Sequence, residues 1–463
     1  MLAASSLSPL SPSAGPLSRP APAPLRVGLL GVGTVGSGTA RVLARNRALI
    51  RDRSGRDIAL CMAAARNLAR ARPLLGPEVE LVDDAQRLVR HPQIDVVVEA
   101  IGGCDAARTL VLDAIAHGKH VVTANKALLA LHGDEVFAAA RARGVMVAFE
   151  GAVAVSIPIV KALREGLAGN RVEWLAGIVN GTSNFILSAM RERGWTFEAA
   201  LREAQRLGYA EADPRFDVDG IDAGHKLALL ASMAFGMPLR FGAVAIEGIG
   251  ALQPADFRHA QALGHRIKLL AVARRQRDGI ELRVRPALLP AGSVLANVDG
   301  AMNGIVVKSD AAGLTGYIGA GAGAEETASA VIADLVDVAR RAGSGPASQV
   351  PALAFHADAL RPWPLVPADA HVTRHYLRIP VQAGAGVLGE LLDALAGSGL
   401  VVQTHHDAHP EAQDDSPGGA GGREIVLLTQ AAPLHAACQA LDALRALRCV
   451  RAAPVRLAVE DLA

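Results

Sequence analysis

An α/β fold built on a doubly wound parallel sheet is the class this chain predicts, and three observations predict it. From Leu25 to Phe149 short apolar runs alternate with helical segments, the pattern of parallel strands covered on both faces. A glycine motif follows the first of those runs, where such sheets bind their ligands. The chain has 463 residues, too many for one ordinary domain, and its texture changes after Gly151 and again after Pro367.

Taken in order, residues 1–24 are mostly Ser, Pro, Ala and Leu without an acid, and read as a disordered extension rather than an amphipathic transit peptide. Leu25–Leu30 is a buried strand and Val35–Asn46 a helix. Strands are expected at Ile58–Ala64, Ile94–Val98, Lys119–Val122 and Val145–Phe149, with helices at Ala106–Ala116 and Asp134–Arg143. Residues 25–150 thus form a dinucleotide-binding unit of the Rossmann kind, completed by about 320–343. Residues 151–319 form a second α/β unit, with helices near Pro158–Glu165, Asn184–Arg193, Phe197–Leu207 and Ile221–Phe235. A glycine-dense loop, Gly313–Gly323, leads into a helix over Thr327–Ala342. The stretch 344–373 is proline-rich and reads as a linker. Residues 374–463 then repeat β-α-β twice, which predicts a ferredoxin-like module interrupted by a mobile polar loop, Pro410–Gly422. An open edge of that sheet suits pairing with a second copy, so removing the tail should leave an active dimer.

Composition excludes several classes. The formal charge is only +2, so neither nucleic acid nor an anionic membrane is indicated. The longest apolar stretch, Leu227–Met237, stops at Pro238, short of a membrane span. Cys61, Cys104, Cys438 and Cys449 show no CxxC spacing, which points to reduced thiols in the cytoplasm and away from zinc.

The chemistry is carried by three segments. Gly31-Val32-Gly33-Thr34-Val35-Gly36 is a GxGxxG between strand and helix, where glycine permits the turn and lets backbone approach a pyrophosphate. An acid ending the second strand would hold the ribose of NAD; here Arg66 stands there, which favours NADP, with NAD as second choice. Lysine is scarce, six against forty-one arginines, so each one prompts a question. Lys126 lies just past a strand end, in a loop at the ligand edge of the sheet. The third segment, Gly177–Lys226, places Glu211, Asp213, Asp217, Asp219 and Asp222 within twelve positions and ends on Lys226. Asp222 and Lys226 share a helix face at i,i+4 if Asp219 caps the helix. An acid–lysine pair beneath a carboxylate loop suits a substrate with an ammonium and a reacting oxygen.

Seven motifs carry a resemblance to the homoserine dehydrogenase family: GVGTVG at Gly31, VVEAIGG at Val97, VTANKALLA at Val122, NGTSNFIL at Asn180, GYAEADP at Gly208, DVDGIDAGHK at Asp217, and GAGAG with TASAV from Gly319. The resemblance implies interconversion of L-homoserine and L-aspartate 4-semialdehyde, in threonine, methionine and isoleucine biosynthesis. It implies that Lys226 is the catalytic lysine, with Asp222 aligning it. Glu211, Asp217 and Lys126 would bind substrate, and Lys126, Ile101 and Gly323 would lie against the cofactor. It also implies a homodimer or homotetramer and an ACT-type tail. A dehydrogenase of another small amino or hydroxy acid, or a non-catalytic sensor, stay open as alternatives.

Two departures stand out. In relatives the backbone carbonyls matching Glu150, Val153, Val155 and Ile157 hold a monovalent cation such as Na+, but Val155-Ser156 replaces a Gly-Gly pair. In the tail, the DxPGVL turn reads Ala383-Gly384-Ala385-Gly386-Val387-Leu388, without acid or proline.

Overall fold

The computed structural model describes residues 22–341, 349–408 and 423–462. Nearly all of the N-terminal extension, Ala342 with the start of the linker, and the loop Pro410–Gly422 lie outside the described residues. Strands β1 (Leu25–Leu30), β2 (Ile58–Ala64), β3 (Glu80–Val82), β4 (Val96–Glu99), β5 (His120–Thr123) and β6 (Val147–Ala148) form one sheet. Its order is β3-β2-β1-β4-β5-β6, parallel throughout. Leu25, Val27 and Leu29 pack one face of β1 against Ala328, Val331 and Leu335 of a helix from far along the chain, Ala324–Arg341. Leu30 faces the opposite core. Burial on both faces is why β1 reads as an unbroken apolar run. The late helix lies close against the first helix, Thr34–Arg45: a Cβ on Gly38 would meet the Ala324 carbonyl oxygen at 2.3 Å.

The rest of the chain builds a second sheet. Its strands are β7 (Val172–Ile178), β8 (Ala245–Ile246), β9 (His265–Gln276), β10 (Gly279–Pro290), β11 (Met302–Ser309), β12 (Gly313–Ala320), β13 (Val372–Val381), β14 (Val402–Ala408), β15 (Arg423–Thr429), β16 (Ala432–Pro433) and β17 (Val455–Val459). The main path runs β12-β11-β7-β9-β10-β17-β13-β15-β14. The glycine-dense loop expected at Gly313–Gly323 is therefore mostly a strand, because β12 pairs antiparallel with β11 along its whole length. Pairing overrides the low strand propensity of glycine.

The tail is a βαββαβ unit of order β17-β13-β15-β14, with every neighbour antiparallel and two helices, Val387–Gly397 and Leu434–Ala446, on Leu377, Ile379 and Val381. It is fused to the rest of the second sheet. β17 pairs parallel with β10 at Ala287–Ala458 and Leu288–Val459. Buried ion pairs cross the seam: Arg378 Nε to Asp256 Oδ1 at 2.7 Å, and Arg283 to Glu460 Oε1 at 2.6 Å. The segment expected as a linker lies along the same edge of β10, with Ile280 N donating to Pro364 O at 2.8 Å and Val366 N to Ile280 O at 3.0 Å. The β17 edge of the tail sheet is thus used inside the chain, and β14 forms the end of the path.

Candidate active site

The strand order reverses between β1 and β4, which opens a crevice at their carboxyl ends. Gly31 turns the chain there at φ +92°; a Cβ would lie 2.7 Å from the Ala100 carbonyl oxygen, with Ile101 close by. Gly36 passes so near the Gly31 carbonyl that a Cβ would sit 2.0 Å from its oxygen, whereas a Cβ on Gly33 would meet nothing within 4 Å. The helix Thr34–Arg45 starts with no side-chain cap and no acid in its first turn. Open space before an uncapped helix N-terminus is what a pyrophosphate requires. Residues Gly31, Val32, Gly33, Thr34, Val35 and Gly36 therefore fit a dinucleotide. Arg66 is exposed, two residues past β2, where the Gly31 N–H of the glycine turn donates to the Ala64 carbonyl at 3.0 Å. Gly323, at φ +139°, precedes the helix Ala324–Arg341 and accepts from Thr327 Oγ1 at 2.7 Å. Ile101 is exposed at the end of β4.

Lys126 is not in a loop. It is the first residue of the helix Lys126–Arg143, capped by Asn125, whose Oδ1 accepts Leu128 N at 3.0 Å. A cation at the positive end of a helix is unfavourable by itself. Asp222 offsets this, its Oδ1 lying 3.0 Å from Lys126 Nζ. The other oxygen of Asp222 accepts from Lys226 Nζ at 2.7 Å, and Lys226 also donates to the Val179 carbonyl at 2.6 Å. Asp222 and Lys226 are both buried on the helix Ile221–Phe235. Asp219 does not cap that helix. The cap is Gly220, at φ +82°, a left-handed turn that a side chain would strain, and Asp219 is exposed.

The charges follow from this packing. Burial pushes the Lys226 ammonium below the ordinary lysine value, with Lys126 adding to the fall and Asp222 opposing it. Burial would raise the Asp222 carboxyl, but Lys226 and Lys126 together hold it well below the usual carboxylate range. Asp222 raises Lys126. Burial raises Asp217, which accepts from Asn180 Nδ2 at 2.7 Å. Glu211 is exposed and acts on Lys126 through its charge. Asp213, the remaining acid of the loop, is spent on a surface pair with Arg215.

Sequence reading missed the residues that hold these groups. Buried Glu99 accepts from Thr123 Oγ1 at 2.6 Å and from the N–H groups of Ile101 and Gly102 at 3.0 and 3.1 Å, so it ties the ends of β4 and β5 together. Asn125 adds a bond to the Gly103 carbonyl at 2.6 Å. An acid inside an apolar run, and an Asn just before a helix, were the available signals.

A dinucleotide cradle beside two lysines on one buried carboxylate suits hydride exchange at an oxygen-bearing carbon, which sets the class as an NAD(P)-binding oxidoreductase. Residues 31–150 match the family described as homoserine dehydrogenase, NAD binding domain, and residues 158–336 match the family described as homoserine dehydrogenase. The homoserine dehydrogenase of Pseudomonas aeruginosa is 51% identical over 95% of this chain and 99% of its own length. The crystal structure of a homoserine dehydrogenase from Thiobacillus denitrificans superposes with a TM-score of 0.89 at 51% identity, over 95% of this chain and 99% of that one. A hyperthermophilic archaeal homoserine dehydrogenase solved with NADPH has a TM-score of 0.60 at 25% identity, over 70% of this chain and 99% of that one. The chain belongs to the homoserine dehydrogenase family, and its substrate is homoserine. Among the described residues no helix is long and apolar enough to cross a membrane.

Proposed function

We propose that this dehydrogenase interconverts L-homoserine and L-aspartate 4-semialdehyde with NADP in preference to NAD, in the cytoplasm, as a step of threonine, methionine and isoleucine biosynthesis. The observation that carries the chemical reading is Asp222, whose two oxygens reach Lys226 at 2.7 Å and Lys126 at 3.0 Å. The nicotinamide supplies or accepts the hydride when bound. In the reducing direction Lys226 gives its proton to the aldehyde oxygen as that oxygen gains charge, and is left as a neutral amine. In the oxidising direction the amine takes the hydroxyl proton back. Asp222 and the Val179 carbonyl fix the angle of Nζ, and Lys126 lies where substrate and cofactor meet. Glu211 and Asp217 hold the substrate ammonium, which sets the reacting carbon in place. The placement of Arg66 supports NADP, as does the NADPH bound by the archaeal relative.

The same reading divides the chain into a cofactor domain (25–150 with 320–343), a catalytic and dimerisation domain (151–319) and an ACT-type tail (374–463). The βαββαβ order supports the last, and the protein is taken as a homodimer or homotetramer. For the cation, the loop Glu150–Ile157 keeps a left-handed turn at Val155, φ +59°, despite its side chain. The carbonyls of Glu150, Val153, Val155 and Ile157 are the ligands proposed for a monovalent ion such as Na+. The test is an assay of the purified protein with homoserine and each cofactor. Homoserine-dependent reduction with NADP above NAD is expected, and greater turnover of another amino or hydroxy acid would overturn the proposal.

A further inference from the structure

We infer that Asn180 is a positioning residue for this reaction, its side-chain amide clamping the carboxylates of Asp217 and Asp222 side by side. The inference rests on the site reading given under Proposed function. Asn180 is 5% exposed and sits where β7 passes into the helix Gly181–Arg193. Its Oδ1 accepts the N–H of Ser183 at 2.7 Å, as a helix N-cap does. That bond fixes which way the amide faces. Nδ2 is then turned to Asp217 Oδ1 at 2.7 Å and to Asp222 Oδ2 at 2.8 Å. The opposite orientation would set an oxygen against two carboxylates and an NH₂ against an N–H, three unfavourable contacts at once.

The arrangement answers a specific problem. Two carboxylates this close repel, and one of them tends to take a proton. Asp222 is compensated by Lys226 and Lys126, whereas Asp217 is farther from compensation and receives its side-chain hydrogen bond from Asn180. The charged and titratable groups facing the pair are Lys226 and His225 from the helix Ile221–Phe235 and Lys126 from the helix Lys126–Arg143, with Glu211 of the acidic loop acting on Lys126. The adjacent carbonyl of Val179 holds Lys226, and Ser183 Oγ donates to the Asp217 carbonyl at 2.9 Å. One turn of chain, 179–183, therefore sets the substrate acid, the aligning acid and the catalytic lysine relative to each other.

Helix capping and clamping can be separated. Asn180→Ser keeps an oxygen for the Ser183 N–H but removes the amide donors, and Asn180→Asp keeps the cap while adding a third carboxylate. The readout is kcat/KM for reduction of aspartate 4-semialdehyde against pH, where the acid limb reports the carboxylates. Expected is an acid limb moved up by about one pH unit in the Ser variant and further in the Asp variant, with the unfolding midpoint of the Ser variant unchanged. An acid limb at the wild-type position in Asn180→Ser overturns the inference, and that variant alone decides if the Asp variant does not fold. Lys226→Ala run alongside separates the two failures: wild-type turnover there would sink the site reading itself, whereas lost turnover with an unmoved limb in Asn180→Ser would sink only the clamp.

Discussion

Trp363 donates its indole N–H to the main-chain carbonyl of Phe235, the last residue of the helix that begins beside Asp222, at 2.9 Å. The next carbonyl, of Gly236, takes the N–H of Arg361 at 2.8 Å. The Arg275 guanidinium lies 4.6 Å from the Trp363 ring and 5.5 Å from the Phe235 ring. Helix carbonyls at a C-terminus need partners, and here a stretch that looks like spacer supplies them. The far end of the helix carrying Lys226 is therefore fixed by the segment that leads to the tail.

Lys226 has a direction-dependent signature. Its ammonium is held below the ordinary lysine value by burial, and under the proposed mechanism it is charged for reduction of the aldehyde and neutral for oxidation of homoserine. Reduction should fall, and oxidation rise, as pH passes through one value lower than that of free lysine. Lys226→Ala should lose about 10²–10⁴ in turnover while cofactor affinity, read by nucleotide fluorescence, is retained. Loss of cofactor affinity equal to the loss of turnover would count against the assignment.

Arg66 is expected to set cofactor choice. Arg66→Asp puts a negative group where a 2′-phosphate would lie and offers an acceptor to a ribose hydroxyl. The ratio of kcat/KM for NADP to that for NAD should drop. An unchanged ratio would mean that the adenosine end lies elsewhere.

The seam between the tail and the rest of the second sheet predicts a stability effect. Arg378 is buried and donates to Asp256 at 2.7 Å and Glu424 at 2.8 Å. Asp256→Ala leaves that arginine short of a partner and should cost about 3–5 kcal/mol in urea unfolding. Truncation before His375 goes further, since it bares the edge of β10 and takes Glu460 from Arg283. Aggregation of the truncated chain is expected, in contrast to the active dimer that the sequence alone suggests. A soluble, active, truncated dimer would show the seam to be dispensable.

Val155 occupies the left-handed region at φ +59°, a strained position for a branched side chain, worth about 1–3 kcal/mol. Val155→Gly releases that strain against an entropy cost of roughly 0.5–1 kcal/mol. The variant should be no less stable than the wild type by equilibrium unfolding, unlike Val153→Gly in the same loop, where the side chain is fully buried. A loss above about 2 kcal/mol for Val155→Gly would show that packing of the side chain outweighs the strain.

What the sequence disclosed were relations local along the chain. The alternation of strands, the turn at Gly31 and the helical spacing of Asp222 and Lys226 involve neighbours, so residue order carries them. The contacts that finish the site do not. Lys126 reaches Asp222 from a helix far back along the chain, Asn180 meets Asp217 thirty-seven residues away, and β17 finds β10 across more than 160 residues. The expected cap at Asp219 failed for a local reason: Gly220 gives the left-handed turn the helix start needs. Asn125 before Lys126 was a readable cap that went unread.

The continuous sheet also sets the terms on which C-terminal units can be exchanged between enzymes of this kind. A transplanted unit would have to bring a strand that fits beside Ala287 and Leu288 and a carboxylate that reaches Arg283. A longer or more pliant connection would supply neither. Recombination at this boundary is limited by two register positions and by buried ion pairs that include Arg283–Glu460 and Asp256–Arg378, and a chimera ignoring them should fail in the host part of the chain before the new unit folds.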